Sequence, residues 1–167
     1  GCILNCPFKL AHDSQIAYAN LAPKHNTVLK GNRTFAANQQ LGCHAWFFNQ
    51  PHQVLKSPFI RPEDIQDYAA SADSIKLCGR TLGTRFLTQC LTAYETRSWD
   101  GNLLALLDAS NWLADRYYID NKSLDPGFLN MVTQCTKLCK NCDHCSNLFK
   151  GAAQQLDLKL RNYKEYL

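Results

Sequence analysis

Apolar residues recur at helical spacing in several stretches of the chain. The pattern predicts amphipathic helices at residues 12–22, 84–96 and 103–117. Pro62 is followed by two acidic residues, which is typical of a helix start, and this predicted helix runs to about residue 71. A closing amphipathic helix is predicted from Phe149 onward, because apolar residues continue at the same spacing.

Short apolar runs between these helices predict strands. Residues 74–78 are predicted to form a short buried strand, which Gly79 and Arg80 end. Residues 1–11 read as the end of a strand that runs into a turn at Pro7. Alternation of helices and strands indicates βα units and a parallel sheet.

The predicted fold class is α/β. The two or three strands are too few to close a barrel, so we expect the later half of a TIM-like (β/α) barrel with a helical, cysteine-rich C-terminal extension. The barrel-like part is predicted at residues 1–125 and the metal-binding tail at residues 126–167. The chain has no initiator Met, so we expect a missing N-terminal segment or a partner chain to complete the barrel.

Composition narrows the class of protein. The chain has 167 residues, 46% of them hydrophobic, which is enough for a substantial core and excludes a disordered chain. No apolar run is long enough for a membrane-spanning helix. A net charge of +4 does not by itself indicate a nucleic-acid-binding protein. The cysteine pattern favours a cytoplasmic location.

Nine cysteines are the most informative part of the composition. Four lie within eleven residues, at Cys135, Cys139, Cys142 and Cys145. Thiolates this close converge on one point when the backbone wraps around them, which suits a soft-ligand metal centre. A 4Fe-4S cluster, held by all four thiols or by three of them with an open iron, is one assignment. Zinc held by all four, or by three of them with His144, is another, and disulfides or free thiols stay open.

The remaining cysteines are more dispersed. Cys2 and Cys6 are close enough in sequence to hold one ion, whereas Cys43 and Cys78 join them only if the fold brings three loops together. The alternative is that these four are small buried hydrophobic residues. Cys90 falls at helical spacing among apolar residues and is predicted to lie in the core.

Two segments carry a resemblance to a known family. Residues 59–68, Phe-Ile-Arg-Pro-Glu-Asp-Ile-Gln-Asp-Tyr, and residues 74–80, Ser-Ile-Lys-Leu-Cys-Gly-Arg, resemble the collagenase-like U32 peptidase family, with its acidic helix followed by a Lys-x-x-Gly-Arg segment. Residues 2–8, Cys-Ile-Leu-Asn-Cys-Pro-Phe, with His12, resemble its Cys-x-x-x-Cys-Pro region. The resemblance covers roughly residues 1–100.

The resemblance implies a TIM-like barrel with active-site groups at the C-terminal ends of the strands. It also implies a 4Fe-4S cluster, with oxygen-independent hydroxylation of RNA bases or of a quinone precursor in several relatives and a peptidase description for others. The implied ligands are Cys2, Cys6 and Cys43. Some relatives supply the fourth from the acidic helix, where this chain has Gln66, and Cys78 is the substitute.

Cationic and histidine side chains near these positions are the candidate catalytic groups. Lys76 projects to the same face of its predicted strand as Cys78, where it would hold a carboxylate or phosphate beside an anionic cluster. Arg80 would bind an anion in bidentate fashion. His12 and His44 adjoin candidate ligands and would act as acid–base groups, or be structural. The alternative for both cations is an ion pair with Glu63, Asp64 or Asp67.

Three functions follow from these patterns. The predicted one is an iron–sulfur enzyme that performs redox or hydroxylation chemistry on an RNA base or a small aromatic or anionic substrate. The second is a peptidase, although no Ser-His-Asp or Cys-His spacing is evident. The third is a zinc-stabilised binding or assembly module. The aromatic residues 46–48 would stack bases in an RNA-binding protein, but they are predicted to pack in the core.

Overall fold

The computed structural model describes residues 3, 6, 8–21 and 43–157. The α-helices in these residues are α1 (Lys9–Leu21), α2 (Cys43–Asn49), α3 (Gly83–Glu95), α4 (Phe128–Gln134) and α5 (His144–Ala152). Strands β1 (Tyr117–Ile119) and β2 (Ala153–Gln155) pair antiparallel, with Tyr118 opposite Gln154. None of the described helices has the length and apolar character needed to cross a bilayer.

Short 3₁₀-helices connect these elements. They lie at Pro51–Lys56, Pro62–Tyr68, Leu103–Leu106, Asn111–Asp115, Asn121–Ser123 and Cys139–Asn141. Proline begins the first two, where its fixed φ favours a helical turn and its missing N–H is not needed.

The main hydrophobic core forms where α5 packs against the 3₁₀-helix Pro51–Lys56 and the small sheet. Its buried members include Val54, Leu55, Leu103, Leu104, Leu113 and Ile119. A second cluster forms where Phe86, Cys90 and Ala93 of α3 meet Leu106. Only 2% of Cys90 is exposed, which confirms its predicted core position.

The Asn102 side chain organises the segment between the two clusters. Its Oδ1 accepts hydrogen bonds from the backbone N–H groups of Leu104 and Ile119, and its Nδ2 donates to the carbonyl of Tyr117. One amide therefore caps the 3₁₀-helix Leu103–Leu106 and holds β1 beside it.

Several predicted elements differ from the observed ones. The predicted helix at residues 103–117 is wrong, because two 3₁₀-helices and the start of β1 occupy it. The chain turns extended at Leu107, and the β-favouring Tyr117–Ile119 run pairs with β2. The closing helix ends at Ala152, and β2 begins at the next residue, Ala153. The continuation of that prediction past residue 157 lies outside the described residues.

Residues 74–78 are not the buried strand that their sequence predicts. They belong to no strand of the described sheet, and Lys76 and Cys78 are exposed while Ile75 and Leu77 are partly buried. The alternation is strand-like, but no neighbouring strand covers the outer side within the described residues. The predicted helix that begins near Pro62 is observed as a 3₁₀-helix ending at Tyr68. The (β/α) barrel, its parallel sheet and the division at residue 125 stay predictions.

Candidate metal centre and adjoining cavity

The four clustered cysteines lie on the connection between α4 and α5. Helix α4 ends at Gln134, and Cys135 follows in an extended conformation. Cys139 begins a 3₁₀-turn that Cys142 closes, with the Cys142 N–H donating to the Cys139 carbonyl over 3.4 Å. Cys145 lies in the first turn of α5. Two helix ends and one tight turn thus place the four thiols on one short loop.

The backbone at Lys137 turns toward the first of these thiols. Lys137 has a φ of 63°, in the left-handed region that non-glycine residues seldom occupy. Its backbone N–H donates to Cys135 Sγ over 3.4 Å. Hydrogen bonds from backbone N–H groups to cysteine sulfur stabilise the thiolate form and tune metal–sulfur centres. The left-handed backbone at Lys137 thus accompanies a hydrogen bond that favours the thiolate form of Cys135.

Cys145 lies within electrostatic reach of its three partners. Burial raises the pKa of the Cys145 thiol, Lys56 lowers it, and Cys135, Cys139 and Cys142 raise it further. All four thiols also line one cavity of about 230 Å³, together with His144. Like-charged thiolates this close are stabilised when a cation neutralises them.

The tetrad has the donor chemistry of a metal site without a closed coordination geometry. Four thiolates fit either a 4Fe-4S cluster or a structural zinc ion, and His144 offers a nitrogen in the same cavity. Within the described part of the chain, however, no three His, Cys, Asp or Glu side chains are placed so that they could hold an ion as they stand. The residues fit the group, and binding would draw the thiols inward.

A larger cavity of about 460 Å³ adjoins the tetrad. Residues 55–60 form one wall, residues 131–133 form another, and three of the clustered cysteines complete it: Cys135, Cys139 and Cys145. Its surface is mostly apolar, with Lys56 and Lys137 as its cationic groups and no Asp or Glu. A pocket of this kind is a typical small-molecule site.

The other predicted cysteine ligands fall into two places. Cys6 and Cys43 lie close enough that the Cys6 thiol adds to the effect of burial in raising the pKa of Cys43. Cys2 lies outside the described residues. Cys78 is exposed on the extended segment and lines a third cavity, of about 210 Å³. The structure thus brings together two of the four predicted ligands among the residues it describes.

The predicted catalytic residues are also dispersed. Lys76 lines the same 210 Å³ cavity as Cys78, together with Asp108. Arg80 is exposed on the turn before α3 and does not line that cavity. His12 lies on α1, partly buried, with its Nε2 shielded from solvent and without a hydrogen-bond partner in the described residues. The three are not gathered around one described cavity.

His44 and the acidic residues take structural partners. The His44 ring lies 4.9 Å from the ring of Trp112, and burial lowers its pKa. Glu63 accepts a hydrogen bond from Lys122, and Asp64 pairs with Arg61. The alternative in which Lys76 and Arg80 would pair with these two carboxylates is therefore not observed. In the aromatic patch, Phe47 packs against the main core, but the core prediction is wrong for Phe48, which is 39% exposed and lies under the Arg116 guanidinium.

Sequence reasoning missed Lys56, Ser57 and Lys137, which line the cavity beside the tetrad. Lys137 had a local signal, since it lies between two of the clustered cysteines. Lys56 and Ser57 had none, because nearly eighty residues separate them from the tetrad and only the packing of α5 on Pro51–Lys56 brings them there.

Comparisons with known proteins give one relative. A protein of Methanocaldococcus jannaschii described as an uncharacterized protease is 32% identical over 152 residues, which cover 91% of this chain and 43% of the relative. No family model matches the chain. No solved structure matches it either. The chain thus spans less than half the length of this relative. The description of the relative as a protease agrees with the peptidase side of the resemblance.

Proposed function

We propose that this chain carries a cysteine-ligated metal centre at residues 135–145 and belongs to a U32-type peptidase-like protein. The observation that supports the centre is the common cavity of Cys135, Cys139, Cys142 and Cys145. A second support is the hydrogen bond from the Lys137 N–H to Cys135 Sγ, which favours the thiolate form of that cysteine. The resemblance at residues 59–80 and the protease description of the relative support the family.

Residues of this chain would bind the metal and offset the negative charge of its thiolate ligands. The four thiolates would be the ligands, or three of them with His144, and Lys56 would offset part of their negative charge. When bound, a 4Fe-4S cluster supplies single-electron transfer or an open iron for a substrate oxygen, whereas zinc supplies structural stability. The proposed barrel would be completed by residues outside this chain.

Peptide hydrolysis is the activity that the comparison favours, since the relative is described as a protease. Redox or hydroxylation chemistry on a small aromatic or anionic substrate is the second candidate. The four-thiolate donor set favours it, because iron–sulfur centres use such ligands. The two differ in their need for iron: a peptidase does not need an iron–sulfur cluster, whereas the redox enzyme fails without one.

The test compares two substitutions in one turn. Cys142→Ser removes a proposed ligand, and Asn141→Ser changes its neighbour without removing a thiol. We expect metal content, measured by mass spectrometry on anaerobically purified chain, to fall at least tenfold in C142S and to stay unchanged in N141S. Equal metal content in C142S and N141S would exclude Cys142 as a ligand, and equal content in a variant with Cys135, Cys139, Cys142 and Cys145 all replaced by serine would reject the centre.

Activity is measured on the same samples with a fluorescently quenched gelatin substrate. Hydrolysis by the N141S protein that persists in C142S supports a peptidase whose chemistry does not use the centre. Hydrolysis lost in C142S with folding intact would place the centre in the hydrolytic reaction. Absence of hydrolysis in the iron-loaded chain would favour the redox candidate.

A further inference from the structure

The 460 Å³ cavity beside the tetrad combines apolar walls with a cation that has no carboxylate partner. Lys56 is partly buried and takes part in none of the ion pairs formed by the described residues. Its positive charge lowers the pKa of the Cys145 thiol, so Lys56 lies within electrostatic reach of the tetrad. Lys137, the other lysine, donates its Nζ to the Val132 carbonyl over 2.7 Å. A lysine at an apolar cavity that no Asp or Glu neutralises is a group suited to bind a carboxylate.

Ser57 gives the cavity a second unused polar group. Its Oγ is shielded from solvent and has no hydrogen-bond partner among the described residues. Buried hydroxyl groups are almost always hydrogen-bonded in folded proteins, so this hydroxyl is a donor that no described group uses. Ser57 lines both this cavity and the 210 Å³ cavity, and because its Oγ is shielded in this conformation, it would reach a bound ligand after rotation about χ1.

The rest of the lining selects an apolar group. Phe59 and Tyr68 are aromatic, Met131 is flexible and polarizable, and Val132 is branched. No Asp or Glu lines the cavity, so the thiolates of the proposed centre would be the source of negative charge in its lining, and Lys56 lies within electrostatic reach of them. The volume suits a ring or a branched side chain with one attached carboxylate.

We propose that this cavity binds an aromatic or branched apolar group that bears a single carboxylate, with the carboxylate on Lys56 and Ser57 and the apolar part against Phe59, Met131 and Val132. The inference rests on the proposed function, since it names the substrate class of the site beside the metal centre. Two sources share this chemistry: a free aromatic acid, and the C-terminal residue of a peptide.

The test is calorimetric titration of the full 167-residue chain with four probes. These are 3-phenylpropionate, its neutral amide, the peptide Gly-Gly-Phe, and the same peptide as its C-terminal amide. We expect each acid to bind about five- to tenfold more tightly than its amide. Tighter binding of the peptide than of 3-phenylpropionate would identify a peptide end as the ligand, and the reverse would identify a free acid. Equal binding of acids and amides would overturn the proposal.

Substitutions separate the charge from the apolar wall. Lys56→Gln should remove the preference for acid over amide, whereas Lys150→Gln, which removes a lysine of α5 that does not line the cavity, should keep it. Val132→Phe should fill the cavity and abolish binding of all four probes without any change of charge. Acid preference that survives in K56Q would overturn the assignment of the carboxylate.

Ser57→Ala distinguishes a ligand contact from an unused hydroxyl. If Ser57 donates to the carboxylate, S57A should weaken acid binding about three- to tenfold and leave amide binding less affected. Unchanged acid binding in S57A would remove Ser57 from the site. Metal content is measured on every sample, so that loss of binding with metal retained rejects this inference alone. Absence of metal with binding retained rejects the proposed centre alone.

Discussion

At the scale of single residues, Arg61 is a buried cation held by groups from two parts of the chain. Only 3% of it is exposed. Its Nε and Nη2 donate to the two carboxylate oxygens of Asp64, each over 2.7 Å, and its Nη1 donates to the Leu124 carbonyl over 3.3 Å. Its guanidinium also lies 5.1 Å from the centre of the Phe128 ring. Arg61 therefore links the acidic 3₁₀-helix to the start of α4, the helix that precedes the cysteine-rich loop.

Asp64→Asn should destabilise the chain strongly, because it leaves the buried guanidinium without its counter-ion. We expect the free energy of unfolding in urea to fall by about 3–5 kcal/mol. Asp67→Asn is the matched control, since Asp67 is exposed on the same 3₁₀-helix and should change stability by no more than about 0.5 kcal/mol. Similar losses in D64N and D67N would contradict the role given to this pair.

Glu63 should make stability depend on pH in the acid range. Burial alone would raise its pKa, but hydrogen bonds from Lys122, Asn121 and the backbone N–H of Trp99 lower it from 4.5 to about 2. A carboxyl with a lowered pKa stabilises the folded state fully above its unfolded value, and this stabilisation is lost as the pH falls from about 5 to about 2.

Glu63→Gln should therefore cost about 1–2 kcal/mol of unfolding free energy near neutral pH, allowing for solvent screening at this partly exposed group. The difference between the two proteins should shrink as the pH falls toward 2. Urea unfolding at a series of pH values measures it. A difference that stays constant, or grows on acidification, would show that the ionised carboxylate is not what stabilises this contact.

Single-residue roles could be predicted where local sequence carries them. The spacing of residues 135–145 was sufficient to group the four thiols, and helical spacing was sufficient to bury Cys90. Long-range partners could not be predicted, because Lys122 and Glu63 are 59 positions apart and meet only through the packing of separate turns. The alternative that paired Lys76 and Arg80 with Glu63 or Asp64 lacked this information.

At the scale of elements, the junction between residues 74–78 and α3 depends on two glycines with positive φ. Gly79 has a φ of 101°, and a Cβ built there would lie 2.2 Å from Cε1 of Phe86, a buried residue of α3. Gly83 has a φ of 84°, but its Cβ would meet nothing within 4 Å. The first glycine is thus required by both conformation and close approach, and the second by conformation alone.

Gly79→Ala and Gly83→Ala form a matched pair for this junction. Both should lose about 1–2 kcal/mol, because alanine resists the left-handed backbone. G79A should lose a further 1–3 kcal/mol or so, since Phe86 must leave its place in the second core cluster. Thermal unfolding of the two variants measures the difference. Equal melting temperatures would mean that Phe86 does not pack against Gly79.

Helices were predicted correctly where apolar residues keep helical spacing throughout. The prediction failed at residues 103–117, where the Asn102 side chain caps a short 3₁₀-helix. The predicted helix at residues 84–96 is confirmed as α3, and the one at residues 12–22 as α1. At residues 103–117 the leucine spacing is helical, yet the Asn102 side chain binds Ile119 as well as Leu104 and draws the chain into β1. Such a contact depends on tertiary structure, so leucine spacing alone does not reveal it.

At the scale of the whole molecule, the described residues place the cysteine-rich loop, residues 135–145, on a folded support. Helix α5 carries Cys145 and packs on the 3₁₀-helix that ends at Lys56, so the tetrad, the larger cavity and the main core share one element. The proposed barrel would cover the exposed side of residues 74–78 with a neighbouring strand. No strand among the described residues lies there. The sequence alone was sufficient to group the four cysteines, whereas the adjoining cavity depends on the packing of α5 against Pro51–Lys56.

The most direct test of the account is an anaerobic absorption spectrum of the full chain, with iron and zinc counted per molecule. The account predicts a thiolate-bound metal at close to one centre per chain. For the iron–sulfur form this means about four irons and a broad absorption band at about 400 nm. For the zinc form it means about one zinc and no visible absorption. Neither iron nor zinc in stoichiometric amount, with the chain folded, would contradict the metal centre.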